Sequence, residues 1–168
     1  VTIKSSTTEM MLALGLGDRI VGTAFPDGPV PDQWADAADA VPAVVTPMAD
    51  KVPGAEAVLT LEPDLVYAGW ESNLTAEGAG DRATFQQLGV QTYVSPSACK
   101  DEAYKPDPLT LDDVFAEITE AGQIFDVAGK RARRARQEPK RRHPVAGSLA
   151  DERPARGLAG ELRAVARS

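Results

Sequence analysis

The sequence predicts an α/β fold: one three-layer lobe with a short, mostly parallel sheet of about four to five strands, flanked by helices. Three observations predict it. Short apolar runs alternate with stretches of helical periodicity along residues 1–129. The run Leu65-Val66-Tyr67 shows no polar alternation, as expected of a strand buried on both faces. Pro and Gly punctuate the boundaries: Pro63 cannot continue the helix that ends at Leu61, and Gly89 stops another.

The elements follow in order. Residues 1–4 read as a first strand. Ser6-Thr7-Thr8-Glu9 fits a capping box, with Ser6 as N-cap and Glu9 reaching back. The helix runs through Met10, Met11, Leu12 and Leu14, and Gly15 and Gly17 stop it in the left-handed conformation. Residues 19–23 read as a second strand leading into the loop Ala24-Phe25-Pro26-Asp27-Gly28. A short helix is expected over 31–40, then a short extended segment at Ala43-Val44-Val45 and a loop at Thr46-Pro47-Met48.

Residues 54–71 are the most informative stretch: a short helix, a Pro turn, a buried strand, then Trp70 and Glu71 just past its carboxyl end. Gly69 is expected to let the chain turn sharply there. Ligands of open α/β sheets bind at that edge. A helix over 82–88, a strand over 90–94, a loop at 95–100 and a Pro-containing linker follow. Thr110 then caps an amphipathic helix with Leu111, Val114, Phe115, Ile118, Ala121, Ile124 and Phe125 at helical spacing.

The 168-residue chain is long enough for a domain with its own core. Its formal charge of -7 hides a split. Residues 1–129 hold 6 Lys+Arg against 21 Asp+Glu, or -15; residues 130–168 hold 12 against 4, or +8. The acidic body argues against nucleic acid as the main partner. The tail has ten Arg, eight Ala and three Pro, with few large apolar residues, and is expected to be disordered. No stretch approaches the ~18 consecutive apolar residues of a membrane span. No signal peptide is read at the start, so the protein is either cytosolic or has had an export segment removed or left out. The single Cys99 excludes an internal disulfide and a multi-Cys zinc site.

Four motifs, in this order across residues 6–125, carry a resemblance. They are Ser6-Thr7-Thr8-Glu9-Met10-Met11-Leu12-Ala13-Leu14-Gly15-Leu16-Gly17-Asp18-Arg19-Ile20-Val21-Gly22; the run 56–67 with Glu62-Pro63-Asp64-Leu65-Val66; Leu88-Gly89-Val90-Gln91-Thr92-Tyr93-Val94; and Thr110-Leu111-Asp112-Asp113-Val114 continuing to Gly122-Gln123-Ile124-Phe125. Together they resemble the amino-terminal lobe of the iron-siderophore and cobalamin type of periplasmic binding protein, the solute receptors of ABC importers. The loops Trp70-Glu71-Ser72-Asn73 and Ser97-Ala98-Cys99-Lys100 are similar to those of an actinobacterial subgroup whose proposed ligand is a deazaflavin coenzyme precursor.

The resemblance implies an extracytoplasmic, non-enzymatic receptor, periplasmic or a cell-surface lipoprotein, with a small-molecule ligand (a metal chelate or conjugated cofactor) and an ABC permease as partner. It implies no cofactor of its own, and a monomer is expected. The family has two lobes joined by a long helix. Here the resemblance stops at about residue 129, where Lys130-Arg131-Ala132-Arg133-Arg134-Ala135-Arg136 and then Pro139 replace that helix. The domains are therefore read as 1–129, a ligand-binding lobe, and 130–168, a basic tail. An abrupt Arg/Ala/Pro/Gly-rich run is what a shifted reading frame in a GC-rich gene encodes, so truncation is the expectation, and one lobe alone is expected to bind weakly.

The candidate ligand-binding residues are Trp70, Glu71, Phe25, Thr8, Ser95, Ser97 and Lys100. Trp70 offers a face for a flat ligand, or caps the core at the strand end. Glu71 accepts from ligand donors, docks on permease arginines as the resemblance implies, or is a solvated loop acid. Thr7 and Thr8 sit where strand turns to helix and backbone N–H groups attract anions, or they simply cap. Phe25 is a ligand wall or a core residue, and Asp27 follows it to the same edge. Met48 and Lys51 are further candidates for the cleft. Ser95, Ser97 and Lys100 end the last strand; Lys100 pairs with an anionic ligand or is a surface lysine.

No catalytic or metal-binding residues are expected. The lone His143 lies in the tail expected to be disordered, so a catalytic pair with Cys99 is not expected, and no glycine-rich phosphate loop, HExxH or GxSxG motif occurs. Asn73-Leu74-Thr75 matches a glycosylation sequon, a triplet common by chance. Two other readings stay open: a small flavodoxin-like enzyme or regulatory domain, and an interaction protein that uses its basic tail.

Overall fold

Strand β1, Thr2–Ile3, lies inside the sheet, between β2, Thr23–Ala24, and β3, Leu65–Ala68; β4, Gln91–Val94, flanks β3. The order is β2-β1-β3-β4, and every pairing is parallel. The computed structural model describes residues 1–100, 103, 105 and 107–127. The tail from residue 130, its expected disorder and the boundary at 129 lie outside the described residues. The expected class is thus observed: a four-stranded parallel sheet between two helical layers.

Both faces of the sheet are covered because its strands carry apolar side chains on both sides. Tyr67 joins a core with Met11, Leu12, Leu16, Ile20, Val41, Ala121 and Val127. These come from helix α1, Ser5–Ala13, the helical turns α2, Ala35–Asp39, and α3, Pro42–Val45, and the long helix α6, Leu111–Ile124, with their connections. Val66 and Ala68, one residue either side of Tyr67, point the other way with Ile3 and Val94. There they meet Val58 of α4, Ala55–Leu59, and Phe85 of α5, Arg82–Gln87. Val66, Tyr67 and Ala68 are all buried, as the unalternating run predicts.

Several local expectations are corrected. Helix α1 starts at Ser5, and no side chain caps it. Ser6 lies inside the helix. Instead, the Thr7 hydroxyl donates to the carbonyls of Ile3 and Lys4, and the Ser5 hydroxyl accepts from the Asp27 amide. Gly15, at φ 72, ends the helix region, whereas Gly17 begins a 3-10 turn, Gly17–Arg19. That turn displaces the expected strand over 19–23, and only Thr23 and Ala24 pair, because β1 offers two residues to pair with.

Residues 43–45 are helical rather than extended. Pro42 is preset for a first helical turn, and Val41 and Val44, three apart, both enter the core. The extended contact falls later, where Ala49 bridges Ala24. The helix over 31–40 is observed as a 3-10 turn, Asp32–Trp34, followed by α2. The cap at Thr110 is observed in full: its hydroxyl and amide bond Asp113, three residues on.

Candidate functional site

The parallel register brings four chain turns to one edge. Ile3 pairs with Ala24 and Ala68, and Ala68 pairs with Val94, so Lys4, Phe25, Gly69 and Ser95 all leave the sheet at its carboxyl side. Strand order also reverses there. From β1 the chain crosses to β2 on one side, then returns to β3 on the other. Such a reversal opens a crevice between adjacent loops, the usual ligand position in open parallel sheets.

At this crevice the structure assembles a group the sequence did not reveal. Lys4 is only 4% exposed, although it carries a charge. Its Nζ lies 3.9 Å from the Phe25 ring centroid and 4.1 Å from that of Trp70. The Asp27 carboxylate forms an ion pair with it, the only one among the described residues. The two rings meet edge to face, with centroids 6.1 Å apart. Burying an ammonium is costly unless it is compensated. Here one carboxylate and two π faces compensate it.

Three local features build the group. Gly69 leaves room for the lysine stem: a Cβ there would stand 2.9 Å from Lys4 Cβ and 3.0 Å from Ser6 Oγ. Its role is therefore this close approach, more than the sharp turn expected from sequence. Lys4 and Phe25 both have positive φ, 92° and 54°, conformations that non-glycine residues adopt at a cost. The other two such residues described, Glu62 and Asp126, follow helices α4 and α6. Finally, Asn73 pins the Trp70 backbone: its Oδ1 accepts from the Trp70 amide at 3.1 Å, and its own amide donates back to the Trp70 carbonyl. Asn73 is buried, so the sequon there presents no accessible amide.

The expected residues fall as follows. Trp70 is 48% exposed and Phe25 half-buried, and they stand together. Asp27 joins them through Lys4. Glu71 is half-buried and accepts from the Lys100 backbone amide, which ties the loop after β3 to the loop after β4. The Lys100 residue is exposed. Thr8 is buried, its hydroxyl 2.7 Å from that of Thr2, with Thr7 turned to backbone carbonyls. Ser95 is buried and interacts with the Tyr67 phenol. Ser97 is exposed in the turn Pro96–Ala98. Met48 packs on the core around Ile3, and Lys51 is exposed.

A cavity of about 200 Å³ is lined by Ser5, Thr8, Thr23, Pro26, Gly28 and Val44, and neither Phe25 nor Trp70 lines it. A larger one, about 370 Å³, opens between Arg19, Ile20, Pro63, Leu65, Gln91 and Phe125, at the amino-terminal edge of the sheet. We place the candidate site at the carboxyl edge, because the strand reversal and the buried cation both lie there. Among the described residues no group of three or more His, Cys, Asp or Glu is arranged to hold a metal ion, and Cys99 is a free, buried thiol.

What this arrangement can do chemically is bind. Trp70 exposes ring surface at the crevice for a flat or apolar partner. Lys4 supplies positive charge behind it.

No protein-family model matches the chain, and no curated protein matches it. Among solved structures it is similar to a periplasmic binding protein from Veillonella parvula, with a TM-score of 0.65 and 24% sequence identity. The likeness covers 80% of this chain but 42% of that one, so this chain spans less than half of its neighbour's length. The likeness extends to the fold. Among the described residues no helix is long and apolar enough to cross a membrane.

Proposed function

We propose that this lobe is one wall of a solute-capture site, whose task is to bind and release a small molecule rather than to transform it. The observation that carries the reading is the Lys4–Phe25–Trp70 assembly at the point where strand order reverses. A core tryptophan would be covered; this one keeps 48% of its surface in solvent, beside a cation held in place by a strained backbone. The shared fold with a periplasmic binding protein supports the same reading.

On this reading the protein is the ligand-gripping part of an ABC importer's receptor and acts outside the cytoplasm. Its ligands are of the iron-siderophore, corrinoid or deazaflavin type, and a permease is its partner. Glu71 and Lys100, linked across two loops, hold the rim of the crevice. A single wall makes about half of the contacts of a closed cleft, so binding by the 168-residue chain is weak. Calorimetry on the purified chain with a ferric siderophore, a corrinoid and a deazaflavin tests this. We expect at least one ligand to bind with a Kd above about 1 μM, or -8.2 kcal/mol, and Trp70→Ala to remove that binding. Binding that survives Trp70→Ala undiminished would place the site elsewhere.

A further inference from the structure

We infer that Asp27 is a built-in stand-in for an anionic group of the ligand, and that the site takes a flat molecule bearing a carboxylate or phosphate, which displaces Asp27 from Lys4. This rests on the capture reading above and names the ligand chemistry for the same site.

The ion pair is asymmetric. Lys4 is 4% exposed and its partner Asp27 is 53% exposed. The cation belongs to the floor of the site, and the anion reaches it from the solvent side. Asp27 sits in a loop, Phe25-Pro26-Asp27-Gly28-Pro29, whose residues 26–29 are all exposed. Apart from the ion pair, the loop is held by bonds from the Phe25 amide to the Ala49 carbonyl and from the Asp27 amide to the Ser5 hydroxyl, both at 2.8 Å. Both bonds use the loop's backbone, so the carboxylate can leave while the loop stays attached.

The ammonium cannot be left without an anion. The two aromatic faces contribute only about 0.5–2 kcal/mol each, far less than the cost of an isolated buried charge. Any ligand that moves Asp27 aside must therefore replace its charge. A ligand anion does so in an even exchange: one oxygen-borne negative charge leaves Lys4 and another takes its place. A neutral ligand of the same shape cannot make that exchange and has only the Trp70 ring to bind. The Trp70 ring touches the same ammonium, 4.1 Å from its centroid, so an anion at Lys4 has an aromatic ring next to it. This fixes the second half of the chemistry, a flat group attached close to the anion.

Asp27 in the free protein is then an internal competitor. It lowers the apparent affinity for anionic ligands by the fraction of time it occupies Lys4. Removing its charge raises that affinity and leaves neutral ligands unaffected.

The test uses the full chain and three probes of one shape: 2-naphthoate, 2-naphthyl phosphate and the neutral 2-naphthamide. The readout is the NMR shift of the Trp70 indole N–H on titration, assigned against a Trp34→Phe variant. We expect the wild type to prefer an anionic probe to the amide. Asp27→Asn should tighten anion binding about tenfold and leave the amide unchanged. Asp27→Glu should restore the wild-type ratio. Tightening of the phosphate alone, or of the carboxylate alone, supports the exchange and identifies the group. If Asp27→Asn leaves the anion-to-amide ratio unchanged while the probes still shift Trp70, the exchange is overturned and the capture reading stands. If no probe shifts Trp70 in any variant, the exchange is overturned, and the capture reading is decided by the calorimetry described above.

Discussion

Lys4 combines two unfavourable states, a φ of 92° and near-complete burial of a charge. The backbone conformation alone costs about 1–3 kcal/mol. Its surroundings hold it there, and Gly69 is the tightest of them. Adding one methyl at Gly69 would press on Lys4 Cβ and Cγ and on Ser6 Oγ, all within 3.1 Å. The Lys4 atoms belong to a buried side chain whose ammonium is fixed by Asp27 and two rings, so they cannot move aside cheaply. We expect Gly69→Ala to destabilise the fold by about 1–3 kcal/mol, read as a lower urea midpoint. It should also increase the solvent exposure of Trp70, read as a red shift of its fluorescence. None of this was legible in the sequence. Lys4 looked like the polar end of a strand, because its burial depends on Phe25, Asp27 and Gly69–Trp70, which approach it only in the folded chain.

At the scale of elements, legibility followed locality. Helix α6 could be read because its start is written within four residues: Thr110 and Asp113 bond each other reciprocally. Thr110→Ala should cost about 1 kcal/mol, measured by chemical denaturation, and fray the first turn, measured by amide exchange at Asp112 and Asp113. Strand β3 was readable for a similar reason, since its apolar run and the Pro63 turn lie side by side. The short edge strand was not. Residues 19–23 carry strand-like residues, but how many of them pair is set by β1, and β1 pairs only two. Likewise Ala43-Val44-Val45 has strand propensity, and tertiary packing of Val41 and Val44 made it helical. Of the site, Trp70 and Phe25 were legible as large aromatics just past strands. Their cation and their Asn73 anchor were not.

On the scale of the molecule, two tyrosines connect α6 to the sheet. The Tyr67 phenol donates to Glu117 at 3.1 Å and the Tyr93 phenol to Glu120 at 2.7 Å. Their rings lie 5.0 Å apart. Burial, then the negative charge of Glu117, raises the Tyr67 phenol well above its usual range; burial, then the bond to Glu120, does the same for Tyr93. The sign follows from proton counting. Above the ordinary tyrosine value of about 10, the unfolded chain releases these protons and the folded chain keeps them. The folded state then binds more protons, so stability falls as pH rises. Below that pH the contribution is fully present. We expect the urea midpoint to decline steeply above pH ~10, and the decline to be shallower in Tyr67→Phe. Absorbance at 295 nm should show Tyr67 and Tyr93 ionising only as the fold is lost.

The central position of β1 has a consequence for how the chain is made. Thr2 pairs with Tyr67, 65 positions further along, and with Thr23 on its other side. During synthesis the earliest of these segments has one neighbour soon and lacks the second until β3 has emerged. At roughly 5–20 residues per second, that interval is several seconds. Lys4 waits with it, since Gly69 and Trp70 come later still. The site therefore stays open until residues 65–70 have emerged, when the strand that covers the second edge of β1 also delivers the tryptophan that faces its buried cation.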